Sequence, residues 1–318
     1  MRAFPVVMIA YNRPELFRRA LDQVAVCEGV GERDVRVFVD GPRREADRPL
    51  VAACAEVAEE FGRTRLPRLR VVRRERNLGC RENIVRAIAD TLDEFDAAIV
   101  VEDDIFVSRT FLRYMDEALA LYADDDRIWC VNGFRSPYLR RPKTGDVYLS
   151  PRNMCWGWGT WQNRFAAVDF DMKTWPEDRN DPSFRARLDQ AGIDLYGLLE
   201  MQSQGTLRTW DVQCSYHMVR NGLFAVEPRF SLTKNGGFGS VCEHCREGEP
   251  VYARQKAYDF QPVLPRRLEV DRAFQRCFRD VPYSRRWLVR AKRKLQRLAA
   301  GLICRWERGR ENANDLGK

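Results

Sequence analysis

The chain has 318 residues, 45% of them apolar and 31% charged, with 8 Trp, 17 Phe and 10 Tyr. That is enough to bury a hydrophobic core in one large or two ordinary domains without disulfides or structural metal, and it excludes disorder over most of the length. The formal charge of +8 is unevenly placed: from Tyr283 onward eleven Lys/Arg face three Asp/Glu, so the preceding 282 residues are electrically balanced.

Short β-rich runs alternate with amphipathic stretches through the first part of the chain. The predicted strands are PVVMIA (5–10), VRVFVD (35–40), LRVVRR (69–74), AAIVVE (97–102) and IWCVNG (128–133), continuous runs of the kind that are covered on both faces. Helical spacing appears in PELFRRALDQV, around READRPLVAACAEVAEEF, in RENIVRAIADTL and in RTFLRYMDEALALY. Alternation of this kind predicts an α/β sheet, with ligands gathered at the carboxyl ends of its strands. After about residue 134 it gives way to aromatic- and Gly-rich loops, a short helix near 183–202 and strand-like pieces at 223–233, which fit a mixed sheet better than a second domain.

The longest apolar runs, such as AAIVV at 97–101, are far shorter than the roughly 20 residues that cross a bilayer. The N-terminus lacks a basic region followed by an apolar core, and the 10 scattered Cys read as reduced thiols of a cytoplasmic protein. From 284 to about 306, Trp287 or Leu288, Ala291, Leu295, Leu298, Leu302 and Trp306 recur at helical spacing among Lys and Arg. This predicts a basic amphipathic helix, suited either to an anionic membrane face or to packing on the body. No recognition fold accompanies it, so nucleic acid is not an expected partner.

The candidate chemistry falls at strand ends. Glu102-Asp103-Asp104 closes the fourth strand, and three adjacent carboxylates repel one another unless a cation offsets them; a solvated turn is the plainer explanation. Asp40 ends the second strand in VFVDGPR, where it either accepts from a base or ribose or simply serves an Asp-Gly-Pro turn. Tyr11 and Arg13 follow the first strand, and Arg13 suits phosphate or solvent equally. Asn77 and Arg81, in NLGCREN, open the third helix, where Arg81 can approach an anion. Met154–Trp161 carries three Trp and two Gly within six residues; Trp156 and Gly157 suit a sugar face, whereas an aromatic core corner explains the Trp but not the Gly. Asp211, after Trp210, is a general base or a helix N-cap. Cys242 and Cys245 flank His244, too few ligands for structural zinc, which leaves His244 as a late ligand for a cation or phosphate. His217 reads as structural.

Taken in order, VVMIAYNRPELFRRAL, VFVDGPR, NLGCREN, VVEDDI with FLRYMDEAL, CWGWGTW, and TWDVQ followed by RFSLTKNGGFG resemble the GT-A glycosyltransferases over about residues 4–245. The order and spacing are most similar to the N-acetylglucosaminyltransferase I-like group and its bacterial family 2-like relatives. The resemblance implies a GT-A fold, a mixed central sheet flanked by helices, filling a catalytic domain at 1–265. Its donor-binding half would span about 1–134 and its acceptor half about 135–265, with a basic tail at 266–318. It implies Mn²⁺ or Mg²⁺ held by Asp104 on the donor diphosphate, and Glu102 and Asp103 at the donor ribose and sugar. Tyr11, Arg13 and Asp40 would surround the nucleotide, Trp210 would border the transferred sugar, and Asp211 would be the catalytic base. Val212 and Gln213 depart from the acid or aromatic that often follows that base.

The implied activity is metal-dependent, inverting transfer from a UDP-sugar, with UDP-N-acetylglucosamine the first donor to test. The acceptor would be a hydroxyl of a bacterial polysaccharide or lipid-linked saccharide, at the inner face of the cytoplasmic membrane. Two other readings are a nucleotidyltransferase, for which YNRPE is a poor triphosphate loop, and a non-catalytic saccharide-binding assembly protein anchored by its tail.

Overall fold

The structure is a computed structural model that describes residues 2–31, 33–237, 252 and 254–279. The expected basic helix at 284–306, His244 and the Cys242–Cys245 pair lie outside the described residues.

Among the described residues ten strands form two sheets. The early strands are β1 (Val6–Ala10), β2 (Val35–Val39), β3 (Leu69–Arg73), β4 (Ala97–Glu102), β5 (Ile105–Val107) and β6 (Ile128–Asn132); β7 (Val147–Ser150), β8 (Trp158–Trp161), β9 (Phe224–Pro228) and β10 (Thr233–Asn235) follow. The main sheet has the order β3-β2-β1-β4-β8-β6-β9-β7. Strands β1 to β4 run parallel, β8 is antiparallel to both β4 and β6, and β7 is antiparallel to β9. The mixed α/β class expected from the sequence is therefore present, and later strands complete the sheet that the earlier ones begin.

Four of the five predicted strands are buried along their length up to their final residues. LRVVRR is the exception: β3 is a sheet edge with partly and fully exposed positions, which is why two Arg are tolerated in it. Alternate residues of β1 serve opposite faces of the sheet. Val6, Met8 and Ala10 join a core formed with helices α1 (Pro14–Ala25), α2 (Arg48–Thr64) and α4 (Phe111–Leu121). Val7 and Ile9 pack with α3 (Gly79–Leu92) and with the helix at Asp211–Asn221. Helix α1 follows β1 after only three residues because Pro14 supplies a ready first turn, and Leu16, Phe17, Ala20, Leu21 and Val24 then share its buried face.

The region expected to hold a single helix near 183–202 holds two, Pro182–Ala191 and Leu195–Ser203, separated at Gly192. They pack with the Asp211–Asn221 helix around Trp175, Phe184 and Tyr216.

Beyond the expected boundary at 265/266 the described chain packs on the body. Leu268 belongs to the main core, and Phe274 and Phe278 pack with Leu139 and Tyr148. Phe278 is fully buried, so the chain through Arg279, whose carbonyl accepts from Ile193 N, is part of the body. No helix among the described residues is long and apolar enough to cross a membrane.

Candidate active site

The site is assembled at the carboxyl ends of β1 and β4. Arg13, in the turn between β1 and α1, sends its guanidinium across to the acidic turn after β4. Its Nε donates to Asp103 Oδ2 at 3.1 Å, its Nη2 to Asp103 Oδ1, and its Nη1 to Asp104 Oδ2 at 3.3 Å. Parallel pairing of β1 with β4 puts these two loops side by side. Asp103 and Asp104 are buried, while Glu102 keeps part of its surface open.

A third segment closes over Asp104. Strand β10 pairs antiparallel with β5, setting Asn235 opposite Ile105. Gly236 N donates to the Asp104 carbonyl at 2.7 Å, and the Asn235 side chain hydrogen-bonds the Asp104 carboxylate. A Cβ at Gly237 would lie 2.9 Å from Asp104 Oδ2, so only glycine lets the backbone approach this closely. Asn235 is not among the residues expected from the sequence, where its signal is an Asn followed by two Gly in TKNGG.

Electrostatics bind the cluster together. Loss of water raises the Glu102 carboxyl well above the usual range, and the charges of Asp104, Asp103 and Asp211 push it further against the opposing pull of Arg13. Burial also raises Asp103 and Asp104, again against Arg13. Four carboxylates thus act on one another with one guanidinium in direct contact, a donor set short of positive charge.

Asp211 begins the helix Asp211–Asn221. The N-cap is Trp210, and no side chain caps the helix, so the capping role considered for Asp211 is not adopted. Instead Thr209 Oγ1 donates to Asp211 Oδ1. Oδ2 has no hydrogen-bond partner among the described residues. Asp211 also acts electrostatically on Arg152, which is fastened to Asp194 at 2.9 Å. Sequence reasoning missed Arg152.

Several expected ligand residues serve the protein's own loops. Asp40 Oδ1 accepts from Gly41 N and Leu78 N at 2.9 and 2.8 Å, and Oδ2 accepts from Gly79 N and Asn77 Nδ2 at 2.9 and 3.0 Å. Four donors fill a carboxylate's four lone-pair positions, leaving none for a base or ribose. Asn77 also donates to the Gly41 carbonyl at 2.8 Å, so its amide ties together two strand-end loops. Tyr11 donates its hydroxyl proton to Asp47 at 2.9 Å and accepts from Arg43 N at 3.1 Å. Arg81 donates to the Phe170 carbonyl at 2.7 Å.

The aromatic run divides. Trp210 is 2% exposed and stacks on Trp158 at 5.3 Å, which stacks on Trp129 at 5.5 Å. This ladder belongs to the core, which sets Trp210 among buried rings. Gly157 has φ +79°, and a Cβ there would lie 2.7 Å from Thr233 Cγ2. Its role is to let β10 approach β8, not to make room for a ligand. Trp156 remains partly exposed, edge-on to Phe134 at 4.5 Å and to Tyr252 at 5.3 Å. His217 sits partly buried beside Trp129, in keeping with a structural role.

Among the described residues no three His, Cys, Asp or Glu side chains form a ready-made metal cage. Mg²⁺-type ions held on phosphates need only one or two protein carboxylates. A turn with three carboxylates against one guanidinium fits such an ion.

No family model matches the chain. Among solved structures, S. aureus TarS 1–349 is 15% identical over 51% of this chain and 47% of that one, with a TM-score of 0.35. The same TarS fragment in complex with UDP-GlcNAc matches with 15% identity over 51% and 46%, also at 0.35. The mannosyltransferase PcManGT from Pyrobaculum calidifontis, in complex with GDP-Man and Mn²⁺, is 11% identical over 69% of this chain and 70% of that one, at 0.40. The match spans about half the length of the TarS fragment. These are partial likenesses, and the reading of the site rests on its own geometry.

Proposed function

We propose that the protein is a glycosyltransferase that moves a sugar from a nucleoside diphosphate donor, UDP-linked in the first instance, to a hydroxyl of a saccharide acceptor, with inversion at the anomeric carbon. One observation carries this reading: Arg13, the Glu102–Asp104 turn and the Asn235–Gly237 segment meet at the carboxyl ends of parallel strands, and the charge of Asp211 reaches Glu102 in that turn.

Asp104 would hold a divalent cation together with phosphate oxygens of the donor. That cation would neutralise the negative charge that grows on the departing nucleoside diphosphate. The remaining work falls to the chain. Arg13 fixes Asp103 and steadies Asp104, while Asn235 orients the Asp104 carboxylate from the other side. Asp211 is positioned as the base: Thr209 holds one oxygen, and the other takes the acceptor's hydroxyl proton as that oxygen attacks. The new bond forms at the anomeric carbon while its bond to the diphosphate oxygen breaks, and that electron pair leaves with the diphosphate. Attack opposite the leaving group inverts the centre.

Incubation with UDP-N-acetylglucosamine, other UDP-sugars and GDP-mannose, with and without Mn²⁺, should give transfer or slow hydrolysis that Asp104→Ala abolishes. Metal-independent turnover indifferent to that change would refute the assignment. Asp211→Asn should bind UDP as the unaltered protein does while losing transfer; retained transfer would move the base elsewhere.

A further inference from the structure

A second candidate site lies at the opposite end of the segment that covers Asp104. A 380 Å³ pocket is lined by Arg135, Arg141, Arg229, Arg254 and Lys256, and no Asp or Glu lines it. None of these five makes an ion pair with a carboxylate among the described residues, although the chain is otherwise rich in such pairs. Arg141 lies over the Phe230 ring at 4.8 Å, and Tyr258 packs against the same ring at 5.6 Å.

The five cations are not equivalent. Arg135 is 7% exposed and uses Nη1 and Nη2 on the carbonyls of Ser136 and Leu139, so it holds the pocket's wall in shape. Its Nε, like that of Arg229, is buried without a partner. Arg141, Arg254 and Lys256 are exposed. Arg135 also feels the buried Glu227 carboxylate, but Arg141, Arg229, Arg254 and Lys256 gather around one cavity without an ion pair among the described residues, and an anion would relieve the repulsion this costs. Guanidinium groups suit phosphate in particular, because they grip its oxygens two at a time.

The location connects this pocket to the acidic site. Ser231 lines the pocket, and four residues later Asn235 contacts Asp104, so the chain between them spans no more than about 14 Å. Between them Thr233 Oγ1 donates to the Trp156 carbonyl at 2.6 Å. The Trp156 ring meets Phe134, the neighbour of Arg135 in sequence, and forms with Tyr252 an aromatic wall along the way. On the transferase reading the donor diphosphate sits with the cation at Asp104, so an anion here belongs to the other reactant.

We infer that this pocket binds a phosphate group carried by the acceptor, so that the acceptor is a phosphorylated saccharide laid along the aromatic wall toward Asp211. This rests on the glycosyltransferase reading for its orientation, but the anion site itself does not depend on it.

The test uses the full chain saturated with UDP and Mg²⁺, titrated calorimetrically with glucose 1-phosphate, with glucose, and with vesicles of phosphatidylglycerol or phosphatidylcholine. The comparison protein carries Arg141→Gln, Arg254→Gln and Lys256→Gln, three exposed positions whose change leaves the packing intact. Saturable binding of glucose 1-phosphate below about 1 mM, with none for glucose, is expected, weakened at least about tenfold in the triple variant. Binding of phosphatidylglycerol vesicles alone, lost in the same variant, would also uphold the site and place the phosphate on a lipid-linked acceptor. Equal binding by both proteins, or no binding of either phosphate probe, overturns the proposal. UDP affinity should be unchanged in the variant; if neither protein binds UDP, the transferase reading fails while the phosphate titration still reports on the pocket.

Discussion

Arg13 grips Asp103 as a fork, with Nε 3.1 Å from one carboxylate oxygen and Nη2 on the other. Lys has the charge but not the fork, and Met has neither. Arg13→Met leaves a buried carboxylate uncompensated and should destabilise the fold by about 3 kcal/mol in urea titrations, with Arg13→Lys falling between. Both should weaken UDP binding. Equal midpoints for all three proteins would mean that the pair contributes nothing.

Asp40→Asn turns one acceptor oxygen into an NH₂ group facing N–H donors. The loss should be about 1–3 kcal/mol, concentrated in the loop at 77–79. Hydrogen exchange gives the sharper readout: the Leu78 and Gly79 amides should exchange faster while those of β1 stay protected.

Trp210→Ala tests whether that ring is core or ligand surface. Removing it from the stack with Trp158 should cost about 3–5 kcal/mol in chemical denaturation. Under conditions where the variant remains folded, its affinity for the donor should be unchanged. A stable variant with weakened donor binding would restore Trp210 to the sugar site.

Gly237→Ala should act locally. The added methyl meets Asp104 Oδ2 at 2.9 Å and Asn235 Oδ1 at 3.1 Å, so it must displace the carboxylate or the loop. Turnover should fall by at least about tenfold, equivalent to about 1.4 kcal/mol of lost positioning, with little change in the melting temperature. Wild-type turnover would show that Asp104 need not sit where it does.

Glu227 gives a pH signature away from the site. It is fully buried, and that burial raises its carboxyl pKa despite hydrogen bonds from Tyr148, Ser150 and Asn132 and the nearby charge of Arg135. A pKa raised in the folded state means the folded protein holds this proton more tightly than the unfolded chain. The resulting stabilisation is complete below the unfolded value of about 4.3 and is lost as pH rises through the folded one. Glu227→Gln abolishes that dependence, so relative to wild type its melting temperature should improve between pH 5 and pH 8. A constant difference across the range would show that Glu227 does not titrate in it.

The five early strands and the first four helices were legible because each is a local pattern, with the AAIVVE run bounded as expected and Pro14 starting its helix, whereas the short strands at 105–107, 147–150 and 158–161 are fixed by pairing. Side-chain partners were less legible, since they are fixed by tertiary approach. Asp40 at a strand end looks the same in sequence whether it faces a ligand or, as here, turns back to the amides of 77–79. Trp156, Trp158 and Trp210 likewise look alike until pairing buries two and leaves one at the surface. The cationic pocket had no local signature at all, because its members come from three segments separated by some ninety and twenty residues.

The placement of β8 between β4 and β6 has consequences for how such a chain can be taken apart. Ala97 pairs with Trp161 and Asn132 with Trp158, so the middle of the sheet is stitched by a strand arriving long after its neighbours are made. Cutting near residue 134 would strip β4 of one partner and β6 of both, and leave the second fragment without a scaffold. The two portions therefore cannot be exchanged like cassettes. Altering what the protein accepts must proceed by resurfacing loops on a shared frame.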